Sequence, residues 1–527
     1  MINRLIYKLN LIANTVKYLK FQQVFYQIFY RLKNLARLKQ NHHKHFDIFV
    51  TLKWKNGIHN LNTYNGGLSF KFINIEHDFT DRINWNEKSN NKLWLYNLSY
   101  FDYLNQKTIT KKEGLFLIYD FIENYSILKD AKEAYPSSLR IINFIKFISK
   151  HNIHDPLILE VIKEDANRLS KNIEFHLLGN HILENGFALW FSANLFNDKR
   201  FYAISNKILK DQLNEQVLND GGHFELSPMY HILMLYRVLD CINLNELNPN
   251  IHNEERISLF KYKASKMVSW LNRMTFKNGD FPLFNDSANG INPTSIDILE
   301  YAKALKIKNI NIPLSDSGYR DFRTSKYELI ADVGEIGASY QPAHAHADTL
   351  NFELYVEGRP IIVDTGISTY NLIDTRIKER STKAHNTVTI NDKNSSQVWS
   401  SFRVAKRANI TIIKDSPKIL NAYHNGYEDL GVTHSRQWSF NDNQITIYDS
   451  LNKLCEGKAH IHFHPKAIIS LKKDIILVNK NIEISFENLT SIKLSNYFYN
   501  SELNKPISAR KVELIFKKEL TSIFKIK

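Results

Sequence analysis

The chain has 527 residues, with 69 Lys and Arg against 54 Asp and Glu, for a formal net charge of +15. Hydrophobic residues make up 43% and charged residues 23%, a globular balance that excludes a mostly disordered chain and gives length enough for two or three domains. Two cysteines, Cys241 and Cys455, exclude a disulfide scaffold, a cysteine-based zinc finger and an iron–sulfur protein. No uncharged apolar run reaches the ~18–20 residues that span a bilayer. The start of the chain also lacks a compact apolar segment with a small-residue cleavage site, so no cleavable signal peptide is expected.

Residues 1–46 hold nine Lys or Arg and no acid, and so carry nine of the fifteen net positive charges. Within them Leu5, Leu9, Ile12, Val16 and Leu19 recur at helical spacing, continued by Phe25, Ile28, Leu32 and Leu35. This basic amphipathic helical segment has two readings. One is an arm for a membrane surface or a polyanion, giving peripheral membrane contact through residues 1–40. The other, which the abundance of Phe and Tyr favours, is a helix pair packed on the main domain with those rings buried and the lysines solvated.

Residues 47–100 read as short strands rich in aromatics, ending in the run Trp94 to Tyr103. From about 112 to 310 successive helices are predicted, for example around Leu139–Phe147, Ile182–Leu195 and Ile232–Ile242, with apolar residues at i, i+3 and i+4. Strands and helices do not alternate, which excludes a parallel α/β sheet. The period changes near 315–326. Strand-like runs follow at Tyr327–Val333, Leu350–Val356, Ile361–Val363, Thr387–Ile390, Ile410–Ile413, Gln444–Tyr448 and Ile482–Phe486, separated by turn signals such as Glu357-Gly358 and Asn391-Asp392. The expectation is a helical domain over 47–315 and an antiparallel β-sandwich over 316–527, sharing a cleft across the short boundary near Pro313–Ser317.

Three polar constellations interrupt this apolar pattern. His344-Ala-His346-Ala-Asp348, Asp364 and His385 stand beside strand-like runs. Two imidazoles and a carboxylate, His346, Asp364 and His385, suit zinc with one open position. Strand histidines held by hydrogen bonds, or a cupin-type site starting at the HxH pair, fit the same spacing. Asn180, His181 and Glu184 cover one helical turn, either facing a cleft or forming a helix start with Asn180 as N-cap. The segment Asp220-Gly-Gly-His223-Phe-Glu225-Leu-Ser227-Pro-Met-Tyr230-His231 brings Tyr and His, both proton-transfer groups, to the start of an apolar helix. A polar loop at Gly279–Ser287 would line the same cleft.

Taken in order, NHxLEN, DGGxxExSPxYH, GDxPxxxDS, HAHADxLxFxL, VDTG, RSTxAHNTV and FRVxxRA resemble the heparinase II/III-like polysaccharide lyases, whose relatives include alginate and oligoalginate lyases. The resemblance runs from about Trp94 to about His464. Ser99 departs from it, standing where relatives often carry His, and the basic first segment stands where degradative members carry a secretion signal.

The resemblance implies an incomplete α/α toroid followed by an antiparallel β-sandwich, and β-elimination at the uronic acid of an acidic polysaccharide. Asn180 would neutralise the C5 carboxylate. Tyr230 would serve as base and acid, with its pKa lowered from about 10 by a nearby cation or donor network. His181 and His344 would assist, or act as base for the opposite epimer. His346, Asp364 and His385 would hold a structural zinc that organises loops near the cleft. Arg140, Arg403 and Glu184 are candidate substrate binders, Arg because it pairs bidentately with carboxylates. The family points to the periplasm or cell envelope, with the cytoplasm as the alternative for want of a visible signal peptide.

Two other functions compete. A glycoside hydrolase on the same scaffold needs a carboxyl pair about 5–10 Å apart, for which Glu184, Glu225 and Asp286 are the candidates. A non-catalytic glycan-binding or assembly protein for surface polysaccharide would keep the scaffold without turnover. Nucleic-acid binding is not expected, since the basic residues after 46 are dispersed. A nucleotide cofactor is not expected either, in the absence of a phosphate-binding glycine motif.

Overall fold

The computed structural model describes residues 2–35, 49–248, 254–291 and 293–527. Two helices, α1 (Ile2–Val16) and α2 (Phe21–Leu35), precede a small three-stranded antiparallel sheet at 64–66, 69–72 and 75–78. Helices then follow one another: α3 (Lys92–Tyr100), α4 (Lys111–Glu123), α5 (Ala134–Lys150), α6 (Pro156–Ser170), α7 (Gly179–Phe196), α8 (Lys199–Gln216), α9 (Pro228–Leu247), α10 (Glu254–Met274) and α11 (Ser295–Ala304). Their starts are written in the sequence. Asp155 and Ser227 accept from first-turn amides with Pro156 and Pro228 next in line, and Thr110 and Thr294 form capping boxes with Glu113 and Asp297.

Helices α5, α7 and α9 form an inner layer that is buried nearly all round, while α6, α8 and α10 lie outside with one buried face each. This is the partial helical toroid. The second half is all antiparallel. A four-stranded sheet (319–323, 327–332, 352–356, 359–362) packs face to face on a ten-stranded one, dominated by the paired strands 482–499 and 507–526. Leu329, Phe352 and Leu354 of the first sheet share a core with Trp438, Ile447 and Phe524 of the second. One further helix of this half, α12 (Asp374–Glu379), leads into the His385 segment.

The halves are welded by a mixed seam. Trp270 and Met274 of α10 cluster with Leu226, Tyr319, Ile330 and Tyr355. Asp220 Oδ2 accepts from the amides of Ser315 and Ser317 and from the Ser317 hydroxyl, fixing the crossing segment. At Gly221, with φ +94°, a Cβ would lie 2.0 Å from the Lys266 carbonyl oxygen, so this turn admits only glycine.

Several expectations are corrected. Trp94 to Tyr100 is helical rather than extended: Asn91 caps α3 by accepting from the Trp94 amide, and Trp94, Leu95 and Leu98 share its buried face. Arg140 does not reach a substrate. It is fully buried, and its guanidinium is spent on Asp165, the Ser137 hydroxyl and the carbonyls of Ser99 and Ala131. Glu184 is likewise a core residue, taking two 3.1 Å contacts from Arg237 Nε inside the helical layer. The helix pair packs on the body through Tyr26 and Tyr30, but its phenylalanines are not buried as expected: Phe21 is 83% exposed, and Phe25 and Phe29 also face solvent.

Removing one partner of a buried ion pair strands the other, which typically costs about 3–5 kcal/mol. Glu184→Gln is therefore expected to lower unfolding stability by roughly that amount, which urea unfolding checks.

Candidate active site

The cleft chemistry starts where α7 and α9 begin. Leu178 (φ 62°) and Leu226 (φ 56°) both sit in the left-handed region just before these helices, a strained turn that points the first residues of each into the domain seam. No side chain of the turn itself caps α7, and Asn180 is its second residue rather than its N-cap. Glu225 does that work from a distance: its carboxylate accepts from the Asn180 backbone amide at 2.9 Å and from Asn180 Nδ2 at 3.0 and 3.2 Å. An anion at a helix N-terminus is favoured by the exposed amides and the helix dipole. Gly179 leaves room for it, since a Cβ there would meet Glu225 Oε1 at 2.3 Å.

Every residue of α7 except His181 is buried. The His181 side chain keeps 31% of its surface, and its Nδ1 lies 3.0 Å from Glu174 Oε1. Glu174 also accepts from Asn185 Nδ2, so His181 and Asn185, one turn apart, straddle the same carboxylate. Burial works against the carboxylate, but His181 and Asn185 hold it below its usual range. In turn burial opposes charge on His181, and Glu174 outweighs it, lifting the imidazole above 6.5. With an anionic acceptor at Nδ1, that nitrogen carries the proton and Nε2 keeps its lone pair in the neutral form.

At the centre of the group lies Asp286, fully buried in the loop between α10 and α11. Arg376 of α12 grips both its oxygens, with Nη2 to Oδ2 at 2.7 Å. His344 Nδ1 and His346 Nε2 each lie 2.9 Å from it. Burial would favour the neutral acid, but the Arg376 guanidinium and the two imidazoles hold Asp286 well below the usual carboxylate range. The His344 ring stacks on Tyr230, with centroids 3.9 Å apart, and its Nε2 faces Glu225 Oε2 at 3.8 Å. The Tyr230 hydroxyl lies 3.4 Å from that of Tyr370. Contrary to expectation its pKa is not lowered: burial, then Tyr370 and Asp286, push the phenol well above 10 and keep it protonated.

The structure thus brings Asn180, Tyr230 and His344 into one connected group, with His181 one helical step away, packed on Tyr135 at 4.5 Å. Arg403 is exposed at the start of a two-residue strand, next to Phe402, whose ring comes 6.2 Å from His344 and 5.7 Å from Tyr370. Arg140 and Glu184 lie in the core, apart from this group. Glu174, Tyr370 and Arg376 were missed by sequence reasoning. For Glu174 a signal existed, since His181 and Asn185 at i and i+4 ask for a shared partner. Tyr370 and Arg376 fall between motifs with no spacing of their own.

Residues 137–307 match the heparinase II/III N-terminus, and residues 310–525 match the heparinase II/III-like C-terminal domain. The chain belongs to the heparinase II/III-like family. A heparin-sulfate lyase of Bacteroides stercoris is 25% identical over 352 residues, covering 60% of this chain and 50% of that protein. One from Pedobacter heparinus is 28% identical over 253 residues, covering 41% of this chain and 38% of that protein. The chain therefore spans half or less of the length of these curated relatives. A crystal structure of heparinase III superposes with a TM-score of 0.67 at 16% identity, over 94% of this chain and 89% of that one. A heparan sulfate lyase mutant from Pedobacter heparinus gives 0.59 at 17% identity, over 89% and 81%. At these identities the likeness of the structures is one of fold.

This heparinase II/III-like chain also gathers its candidate zinc ligands. His385 Nδ1 lies 2.7 Å from Asp364 Oδ2, and the His346 and His385 rings are 5.3 Å apart. Among the described residues no three His, Cys, Asp or Glu stand ready-arranged as a metal cluster. Asp364 is hydrogen-bonded by Asn351, the Gly366 amide and His385, while two imidazole nitrogens and a neighbouring carboxylate oxygen are left to meet a cation. His346 Nδ1, His385 Nε2 and Asp348 Oδ2 are buried without a hydrogen-bond partner. Burial pushes the Asp348 carboxyl up to about 7 despite the opposing His385, as in a pocket short of positive charge.

Proposed function

We propose that this heparinase II/III-like chain is a polysaccharide lyase that cleaves a uronate-containing glycan by β-elimination. The observation that carries this reading is the meeting, at the domain seam, of a neutral tyrosine, an amide held at a helix start, and imidazoles that each point one nitrogen at a carboxylate. Elimination needs three things: a donor to the C5 carboxylate, a base for the C5 proton, and an acid for the departing O4. Asn180, aligned by Glu225, meets the carboxylate. His181, with Nδ1 turned to Glu174, takes the C5 proton on Nε2. The C5–H electrons form the C4–C5 double bond, the C4–O4 bond breaks, and the Tyr230 hydroxyl protonates O4. Its high pKa makes Tyr230 the acid of this scheme rather than both acid and base. His344, stacked on the Tyr230 ring and tied to Asp286, holds the phenol in place.

The hydrolase reading loses its carboxyl pair. Glu184 and Asp286 are each bound by an arginine, and Glu225 is left without a partner acid. The names of the curated relatives make a heparin- or heparan-type glycosaminoglycan the first substrate to try, with alginate next. Ultraviolet absorbance of the conjugated C4–C5 product is expected to rise with wild type. Tyr230→Phe is expected to lower kcat by about 10²–10⁴, and Asn180→Ala by about 10²–10³. Reducing ends formed without absorbance, or full activity in Tyr230→Phe, would overturn the assignment.

A base must be neutral to accept a proton, so kcat/KM should rise with pH through the lifted His181 pKa. Its acidic limb is expected above pH 6.5, and Glu174→Gln, by removing the anion, should move that limb to lower pH. A limb that stays put in the variant would exclude His181 as the base.

The same reading places zinc on His346, Asp364 and His385. When bound, the metal supplies positive charge that neutralises buried acids and ties the 344–348 and 364–366 loops together. Purified protein is expected to hold one zinc per chain by elemental analysis. Chelation should lower its melting temperature, and His385→Ala should abolish both the zinc and the chelator effect.

A further inference from the structure

Helices α1 and α2 carry a surface that neither the core nor the cleft uses. Their body-facing side is polar and aromatic. Thr15 accepts from Trp399 Nε1 at 3.1 Å, Tyr26 stacks on Phe175 at 4.7 Å, and the Tyr30 hydroxyl donates to the Ile173 carbonyl at 2.6 Å. These contacts turn the apolar stripe outward. Leu9, Ile12, Phe21, Phe25, Ile28 and Phe29, at three- and four-residue intervals, face solvent on two consecutive helices. An exposed apolar patch of this extent marks an interaction surface.

We infer that α1 and α2 dock this protein on an anionic lipid surface. Charge selects the partner. Residues 1–46 hold nine basic residues and no acid; Lys8 and Arg31 are exposed on these helices and Lys17 in the turn between them. A second copy of this hairpin would set like charges against each other, and an uncharged apolar groove would leave the basic excess unanswered. A bilayer with acidic headgroups satisfies both features, taking the apolar side chains to the acyl boundary and the lysines to the phosphates.

The docking is in-plane. Each helix has 15 residues, roughly 22 Å, and no helix among the described residues is long and apolar enough to cross a membrane. Orientation is set as well. Gln23 of α2 donates to the carbonyls of Leu177 and Tyr340, one in each half of the molecule, so the bound surface lies beside the seam that holds Asn180 and His344.

The test is flotation of the full chain with phosphatidylcholine vesicles, with and without about one-third phosphatidylglycerol, at low salt and at about 0.5 M salt. Binding is expected only with the anionic lipid and weakened by salt. Two variants on exposed positions, Phe25→Ser/Phe29→Ser and Lys8→Glu/Arg31→Glu, are each expected to lower the partition coefficient by about tenfold or more, with an unchanged melting temperature showing that the fold is intact. Absence of binding, equal binding to uncharged vesicles, or unchanged binding by both variants would overturn the inference. So would a dimer in light scattering that Phe25→Ser/Phe29→Ser dissolves while no vesicle is bound, which would assign the stripe to a second copy.

Discussion

One carboxylate holds the two halves of this molecule in register. Asp286 comes from the helical half and is withdrawn from water, a transfer that costs several kcal/mol for an ion left alone. Its compensation comes wholly from the other half: the forked Arg376 guanidinium and the imidazoles of His344 and His346. The backbone returns the tie, since the Asp286 amide donates to the His344 carbonyl and the His346 amide to Asn285 Oδ1. A small slip between the domains would strand that charge. The position of the His344 ring over Tyr230 is therefore a consequence of burying one acid correctly.

Three carboxylates stand close together in this group, and none is left without a partner. Each is answered locally: Glu174 by His181 and Asn185, Glu225 by Asn180, Asp286 by Arg376. The acids thereby orient amides and imidazoles, and little negative charge is left bare. Burial disfavours the Tyr230 phenolate, and Tyr370 and Asp286 add to the rise in its pKa with no cation to oppose them.

Much of this was legible in the sequence because local chemistry and global fold agree. A proline-bracketed loop preceded α9, apolar period separated the two halves, and the left-handed pair Glu357-Gly358 marked its hairpin. The grouping of Asn180, Tyr230 and His344 followed from motif order. What failed depended on tertiary partners. Arg140 and Glu184 sat in polar motifs and looked available, yet Asp165 and Arg237, distant in sequence, claim them in the core. Arg376 carried no local pattern at all, and its role exists only because Asp286 needs a cation. The first two helices showed their amphipathic period plainly, but period alone does not say which face meets the body.

Helix α7 is enclosed on every side, with His181 its one opening to the cleft. An element so enclosed has little freedom to diversify. Exchanges elsewhere along it disturb packing, and only an exchange at His181 alters a side chain that solvent reaches. Variation that spares the core is therefore left to the facing wall, where Phe402 and Arg403 are exposed.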